Sequence, residues 1–159
     1  MSMTVYFGTD HAGFKLKEAL KKYVASLGHQ VIDLGAIRFD GDDDYPDFII
    51  PAARAAVKNN ARAIVLGGSG VGECIAANKV KGARAAMAFD AYTAKMSRTD
   101  TDCNVLCLGG RTSVSKLATA KKIVRVWLAT RFSGAARHQR RLRKIVSFEK
   151  GSRYKVQGT

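Results

Sequence analysis

The sequence predicts an α/β protein, a single α/β/α sandwich around an open parallel sheet of five strands. Three observations carry that prediction. Five short β-rich apolar runs recur along 159 residues, helical patterns separate them, and no repeat or low-complexity block interrupts the alternation. A chain of this length can bury a core as one domain, taken as residues 1–150, without disulfides or metal.

The elements follow in order. TVYFG (4–8) reads as the first strand and HQVIDLG (29–35) as the second. Between them Leu16, Leu20, Tyr23, Val24 and Leu27 recur at helical spacing, and Gly28 stands where a C-terminal cap belongs. AIVLGG (63–68), ARAAMAFD (83–90) and NVLCLGG (104–110) supply the remaining strands. The Ala-rich stretches 47–60, 71–81 and 91–99 supply helices between them. Leu117, Val124, Trp127 and Leu128 lay an apolar stripe on a helix opened by Ser113 or Thr112. A final helix from about Ser133 carries Leu142, Ile145 and Val146 on one side and Arg137 and Arg141 on another. Residues 151–159 are expected to be a flexible basic tail.

Composition narrows the function classes. No apolar run approaches a membrane span, and the N-terminus lacks an export pattern, so a cytoplasmic protein is expected. Cys74, Cys103 and Cys107 form neither a disulfide framework nor a zinc motif and are expected to be core thiols. The net charge of +14 is concentrated late: residues 131–159 hold nine Lys/Arg against one Glu. That excess admits a nucleic-acid-binding module as a rival reading. Against it, no RNA-recognition motif is present and aromatics do not alternate with the arginines.

In open parallel sheets ligands sit beyond the carboxyl ends of the strands. That rule selects Asp10 and His11 after the first strand, GGSGVGE (67–73) after the third and Arg111 after the fifth, and predicts that they converge. Gly68, Gly70 and Gly72 let the backbone bring N–H groups to a ligand at a helix N-terminus. The glycine spacing fails the dinucleotide fingerprint, since Glu73 or Ile75 falls where its third glycine belongs, and no Gly-Lys-Ser/Thr is present for a Walker loop. Glu73 taken alone is a helix-terminal charge favoured by the macrodipole. Beside Ser69 and the loop N–H groups, it could instead shuttle a proton between adjacent carbons while the donors hold an enediolate oxygen. Arg137 and Arg141, with Arg111 and His11, would suit a phosphate monoester. The run Asp40, Asp42, Asp44 mimics a calcium loop but has Tyr45 where glycine is needed and Pro51 where the bidentate glutamate belongs.

Together, GTDHAGFKLK (8–17), DDDYPDF (42–48), GGSGVGECIAANK (67–79), CNVLCLGGR (103–111) and RHQRR (137–141) resemble the type B ribose-5-phosphate isomerase family, to which galactose-6-phosphate isomerase subunits are related. The resemblance covers about residues 4–148. It implies a Rossmann-like fold and a homodimer, or a tetramer of such dimers, with active sites at the interface. It also implies no metal or organic cofactor, and aldose–ketose isomerisation of a sugar phosphate through an enediolate.

By the same resemblance His11, Arg111, Arg137 and Arg141 match phosphate-binding positions, with Asp10 and Tyr45 near the sugar hydroxyls. Ser69 and the N–H groups of Gly70, Val71 and Gly72, following Gly68, match the enediolate-holding loop. Many members place a cysteine base where this chain has Gly67; another branch uses a glutamate at the position of Glu73, and this sequence resembles that branch. Where the family usually has His-Asn, with the histidine opening the furanose ring, this chain has Asp100 and Thr101. Asp100 is then the candidate ring-opening acid/base, unless spontaneous opening feeds the site. The altered corner also admits another phosphorylated aldose, such as allose 6-phosphate or another hexose 6-phosphate.

Overall fold

A computed structural model describes residues 2–151. Five parallel strands, β1 (Thr4–Thr9), β2 (Gln30–Asp33), β3 (Arg62–Gly67), β4 (Ala85–Met87) and β5 (Val105–Gly109), form one sheet in the order β2-β1-β3-β5-β4. The connections are α1 (Phe14–Ser26), α2 (Pro46–Lys58), α3 (Val71–Asn78) and α4 (Ala91–Thr99), with α5 (Leu117–Ala129) and α6 (Ala136–Glu149) after the last strand.

Strand alternation divides the core in two. Val5, Phe7, Ile64, Leu66, Leu106 and Leu108 face α1, α4 and α5, where Leu20, Val24, Ile123, Val124 and Trp127 are buried. Tyr6, Ala63, Val65, Val105 and Cys107 face the alanine-rich surface of α2 and α3. Small residues there let those helices lie close to the sheet, and the three layers of the expected sandwich result. No described helix is long and apolar enough to cross a membrane.

Several boundaries differ from the sequence reading, each for a local reason. β4 is three residues rather than eight: Asn78 bonds both Ala85 N–H and Ala85 C=O, which draws the chain out of α3 and into the strand. β2 stops at Asp33, whose carboxylate turns back to Gly35 N–H and to Lys17 and Lys21. Thr112 caps a single 3₁₀ turn (Ser113–Ser115) instead of opening α5, and Leu117 is consequently exposed at the start of the helix. The last helix begins at Ala136, after Gly134 takes a left-handed conformation. Of the three cysteines, Cys103 and Cys107 are core, but Cys74 is half-buried. The expectation for the basic tail falls on 152–159, outside the described residues.

Candidate active site

Strand order places the switch point between β1 and β3, whose crossovers leave in opposite directions, and the crevice at their carboxyl ends is where the candidate residues gather. The β1 exit supplies Asp10, which accepts from Ala12 N–H at 3.0 Å, and then His11. The β3 exit is the glycine loop, paired to the β5 exit by Gly110 N–H to Gly67 C=O at 2.6 Å and Arg111 N–H to Gly68 C=O at 2.9 Å. Gly70 adopts φ 85° as N-cap of α3, a left-handed turn that points the helix start into the crevice with no side-chain cap. Ser69 Oγ accepts from Val71 N–H at 3.2 Å.

Glu73 sits in the first turn of α3 with only 3% of its surface exposed, and its Oε2 is buried without a hydrogen-bond partner. Burial pushes its carboxyl above the ordinary value; Asp10 adds to the rise, while the N–H groups of Glu73 and Gly70 oppose it. The carboxylate lies where a side chain on residue 67 would go: a Cβ built on Gly67 falls 1.6 Å from Glu73 Oε1. Glycine at 67 and glutamate at 73 are thus sterically linked. Gly72 leaves room for Tyr45, whose ring carbon Cζ would stand 2.9 Å from a Cβ there. Tyr45 therefore closes one wall of the crevice.

Cys74, one residue on, bonds elsewhere: Asn78 Nδ2 donates to its sulfur at 3.6 Å, and the sulfur lies 3.6 Å from Ala85 C=O. Its thiol is pulled down to about 7 because Cys107 donates to the sulfur, against the opposing effect of burial. Cys107 in turn holds its proton, raised well above the usual thiol value by burial.

His11 has a partner absent from the sequence reading. Asp43 Oδ1 accepts from His11 N–H at 2.9 Å and from His11 Nδ1 at 2.8 Å, across a separation of 32 residues. The acidic run had suggested only calcium mimicry at Asp40, Asp42 and Asp44, and periodicity carries no signal for a contact between two loops. Asp10, His11 and Asp43 present ligand atoms within 4.8 Å of one another and are the grouping that could hold a metal ion among the described residues. His11 Nδ1 is already committed to Asp43.

The predicted residues do not all converge in one chain. Asp10, His11, Tyr45, Gly68, Ser69, Gly70, Val71, Gly72, Glu73 and Arg111 share the carboxyl end of the sheet. Asp100 and Thr101 follow α4, which begins after the carboxyl end of β4 and runs back beside the sheet, so they lie near its amino end. Strand length puts the two ends about 15 Å apart. α6 lies at that amino end too: His138 Nδ1 stands 3.4 Å from Thr99 C=O and 3.5 Å from Asp100, and Glu149 accepts from Gly82 N–H at 3.3 Å.

The two clusters are therefore separate, contrary to a single pocket of four cationic groups. The lower cluster has its own order. Arg137 Nε donates to His138 Nε2 at 2.9 Å, so the ring proton lies on Nδ1, facing Ser133 Oγ at 3.1 Å and Asp100. Arg137 and Arg141 are exposed, and Thr101 Oγ1 donates to Ser97 C=O at 2.6 Å.

Known proteins match this arrangement along most of its length. A family model described as Ribose/Galactose Isomerase matches residues 5–145. The chain is 45% identical over 149 residues to ribose-5-phosphate isomerase B of Mycobacterium tuberculosis, covering 93% of this chain and 91% of that protein. Among solved structures it resembles the type B ribose 5-phosphate isomerase of Trypanosoma brucei (TM-score 0.87, 40% identity, 93% of this chain and 99% of that one). It also resembles ribose-5-phosphate isomerase B of Mycoplasma genitalium with bound ribulose-5-phosphate (TM-score 0.89, 39% identity, 94% and 97%).

Proposed function

The chain belongs to the ribose/galactose isomerase family, and we propose that it interconverts ribose 5-phosphate and ribulose 5-phosphate, with Glu73 as the base that carries the proton between C2 and C1. The observation that carries the base assignment is the Glu73 carboxylate, buried at the mouth of the glycine loop in the volume a side chain at 67 would need. The names of its relatives support the pentose phosphate over a hexose phosphate. A cytoplasmic place of action accords with that reading.

The chemistry balances on this chain's own groups. With the aldehyde form bound, Glu73 takes the C2 proton and becomes neutral, which its buried position favours. The electron pair moves into the C1–C2 bond, and negative charge develops on the carbonyl oxygen. Ser69 and the N–H groups of Gly70 to Gly72 at the open start of α3 stabilise that charge. Transfer of a proton between the two oxygens and return of the Glu73 proton to C1 completes the ketose. A base whose pKa is raised toward the operating pH is also the more effective one.

Phosphate requires the second cluster. An isologous dimer would bring the amino end of one subunit's sheet, with Arg137, Arg141, Asp100 and Thr101, against the crevice of the other, where His11 and Arg111 wait. The exposed Ile145, Val146 and Phe148 of α6 give such a dimer apolar surface to bury. In that assembly Asp100 faces the substrate ring and serves as its opening acid/base.

The test is proton NMR of ribose 5-phosphate in D₂O with purified enzyme and EDTA. Loss of the C2 proton together with growth of ribulose 5-phosphate is expected. Silence with this sugar and turnover of allose 6-phosphate would overturn the substrate assignment.

A further inference from the structure

Asp43 lies in the DDDYPDF stretch, where the sequence assigns it no role of its own, yet it bonds both the backbone N–H and the ring of His11. We propose that Asp43 is a positioning residue: its carboxylate fixes the His11 ring with the proton on Nδ1 and presents Nε2 as the free donor to the phosphate of the substrate. The proposal rests on the reading of His11 as a phosphate ligand.

The geometry supports it in three ways. One oxygen, Asp43 Oδ1, accepts from both the backbone N–H and the Nδ1 of His11, so the ring's rotation and the path of the β1 exit are held by the same atom. An ionised carboxylate has no proton to give, so Nδ1 must carry one. Asp43 itself has 8% of its side chain exposed and a buried, unpartnered Oδ2, so it is not free to turn to solvent.

The consequence for binding is a matter of charge. A neutral ring with its proton on Nδ1 offers a phosphate only a lone pair at Nε2, whereas the cation offers a charge-assisted N–H. The hydrogen bond that His11 donates to Asp43 is the main influence raising the pKa of its ring above the ordinary value. The charges of Asp10 and Asp43 reinforce it, and burial and Arg111 oppose it. The edge of Phe39, 6.3 Å away between ring centres, bounds the remaining side. Asp43 thereby keeps a donor rather than an acceptor in front of the phosphate.

The experiment is an NMR titration of the ring resonances of His11, His29 and His138 in the full chain, assigned with a His11→Gln spectrum and repeated in Asp43→Asn. It is paired with KM and kcat for ribose 5-phosphate at pH 6 and pH 8. The His11 midpoint is expected to fall in Asp43→Asn, with KM raised about tenfold at pH 8, less at pH 6, and kcat little changed. If the variant does not fold, ¹⁵N shifts of the native enzyme above the His11 midpoint decide the point, since a neutral ring protonated on Nε2 overturns the proposal. So does an unmoved midpoint, or a KM rise equal at both pH values, which would be a structural effect only. A midpoint that falls while KM stays flat at both pH values overturns the phosphate role of His11, and the proposal with it, but leaves the isomerase reading standing.

Discussion

At the scale of the residue, Glu73 sets the outcome of two opposite measurements. As the proposed base it must be ionised, and its carboxyl is raised by burial. The acid limb of kcat/KM is therefore expected above the ordinary carboxylate value of about 4.3. Glu73→Gln is expected to lower kcat by about 100-fold or more, while Cys74→Ser, whose sulfur bonds away from the crevice, keeps most activity. A Gln variant turning over near normally would remove Glu73 from the mechanism. Stability should move the other way. A carboxyl whose folded pKa lies above its unfolded value contributes stability at low pH that is lost as pH rises through the folded pKa. At neutral pH the ionised, partly unsatisfied carboxylate costs stability, and Glu73→Gln should melt at a higher temperature than the native protein at pH 7.5. Gly67→Ala is a second, independent probe. Its methyl would collide with Glu73 Oε1, so the carboxylate must leave its position, and activity should fall by about tenfold or more without any change to the base itself.

At the scale of the element, the β1 and β2 exits are held by a charged cluster beneath the site. Lys17 on α1 is fully buried; its Nζ meets Asp33 at 2.7 and 2.8 Å and Ala36 C=O at 2.6 Å, and Lys21 joins at 2.5 Å. Removing one partner of such a cluster leaves buried positive charge without compensation. Asp33→Ala is expected to cost about 3–5 kcal/mol in urea unfolding, whereas a loss under about 1 kcal/mol would mean that water reaches Lys17. The link Asp100 to His138 to Arg137 ties the end of α4 to the start of α6 in the same manner. Through it, Asp100 gains a partner beside Arg137, the arginine proposed to bind phosphate.

At the scale of the whole molecule, the division of the candidate residues between the two ends of the sheet predicts a shared active site. In the proposed dimer, the Glu73→Gln variant and the Arg141→Ala variant should each be nearly inactive. Mixed under conditions that let subunits exchange, they should recover about a quarter of native activity, because each heterodimer then holds one site with both groups intact. If each chain carried a complete site of its own, no recovery would follow. An Arg141→Ala enzyme with native KM would likewise disconnect α6 from substrate.

The sequence by itself determined the order of the elements and the family. Alternation of period two and helical spacing are local properties, and Leu16, Leu20 and Val24 are buried on α1 as their spacing required. Gly28 likewise takes φ 84° beyond its end. Glu73, Ser69 and the glycines stood out as candidates because they are neighbours in the chain, and the five ordered motifs made the family legible. Only the tertiary structure decided which candidates meet. The pairing of Asp43 with His11 joins loops 32 residues apart, and Lys17 is buried by a partner from another element. Asp100 is set at the opposite end from Glu73 because the nine-residue α4 carries the chain back along the sheet, and Arg137 and Arg141 because α5 does the same after β5. Spacing along the chain records periodicity within an element, whereas contact between elements depends on where each helix deposits the next strand.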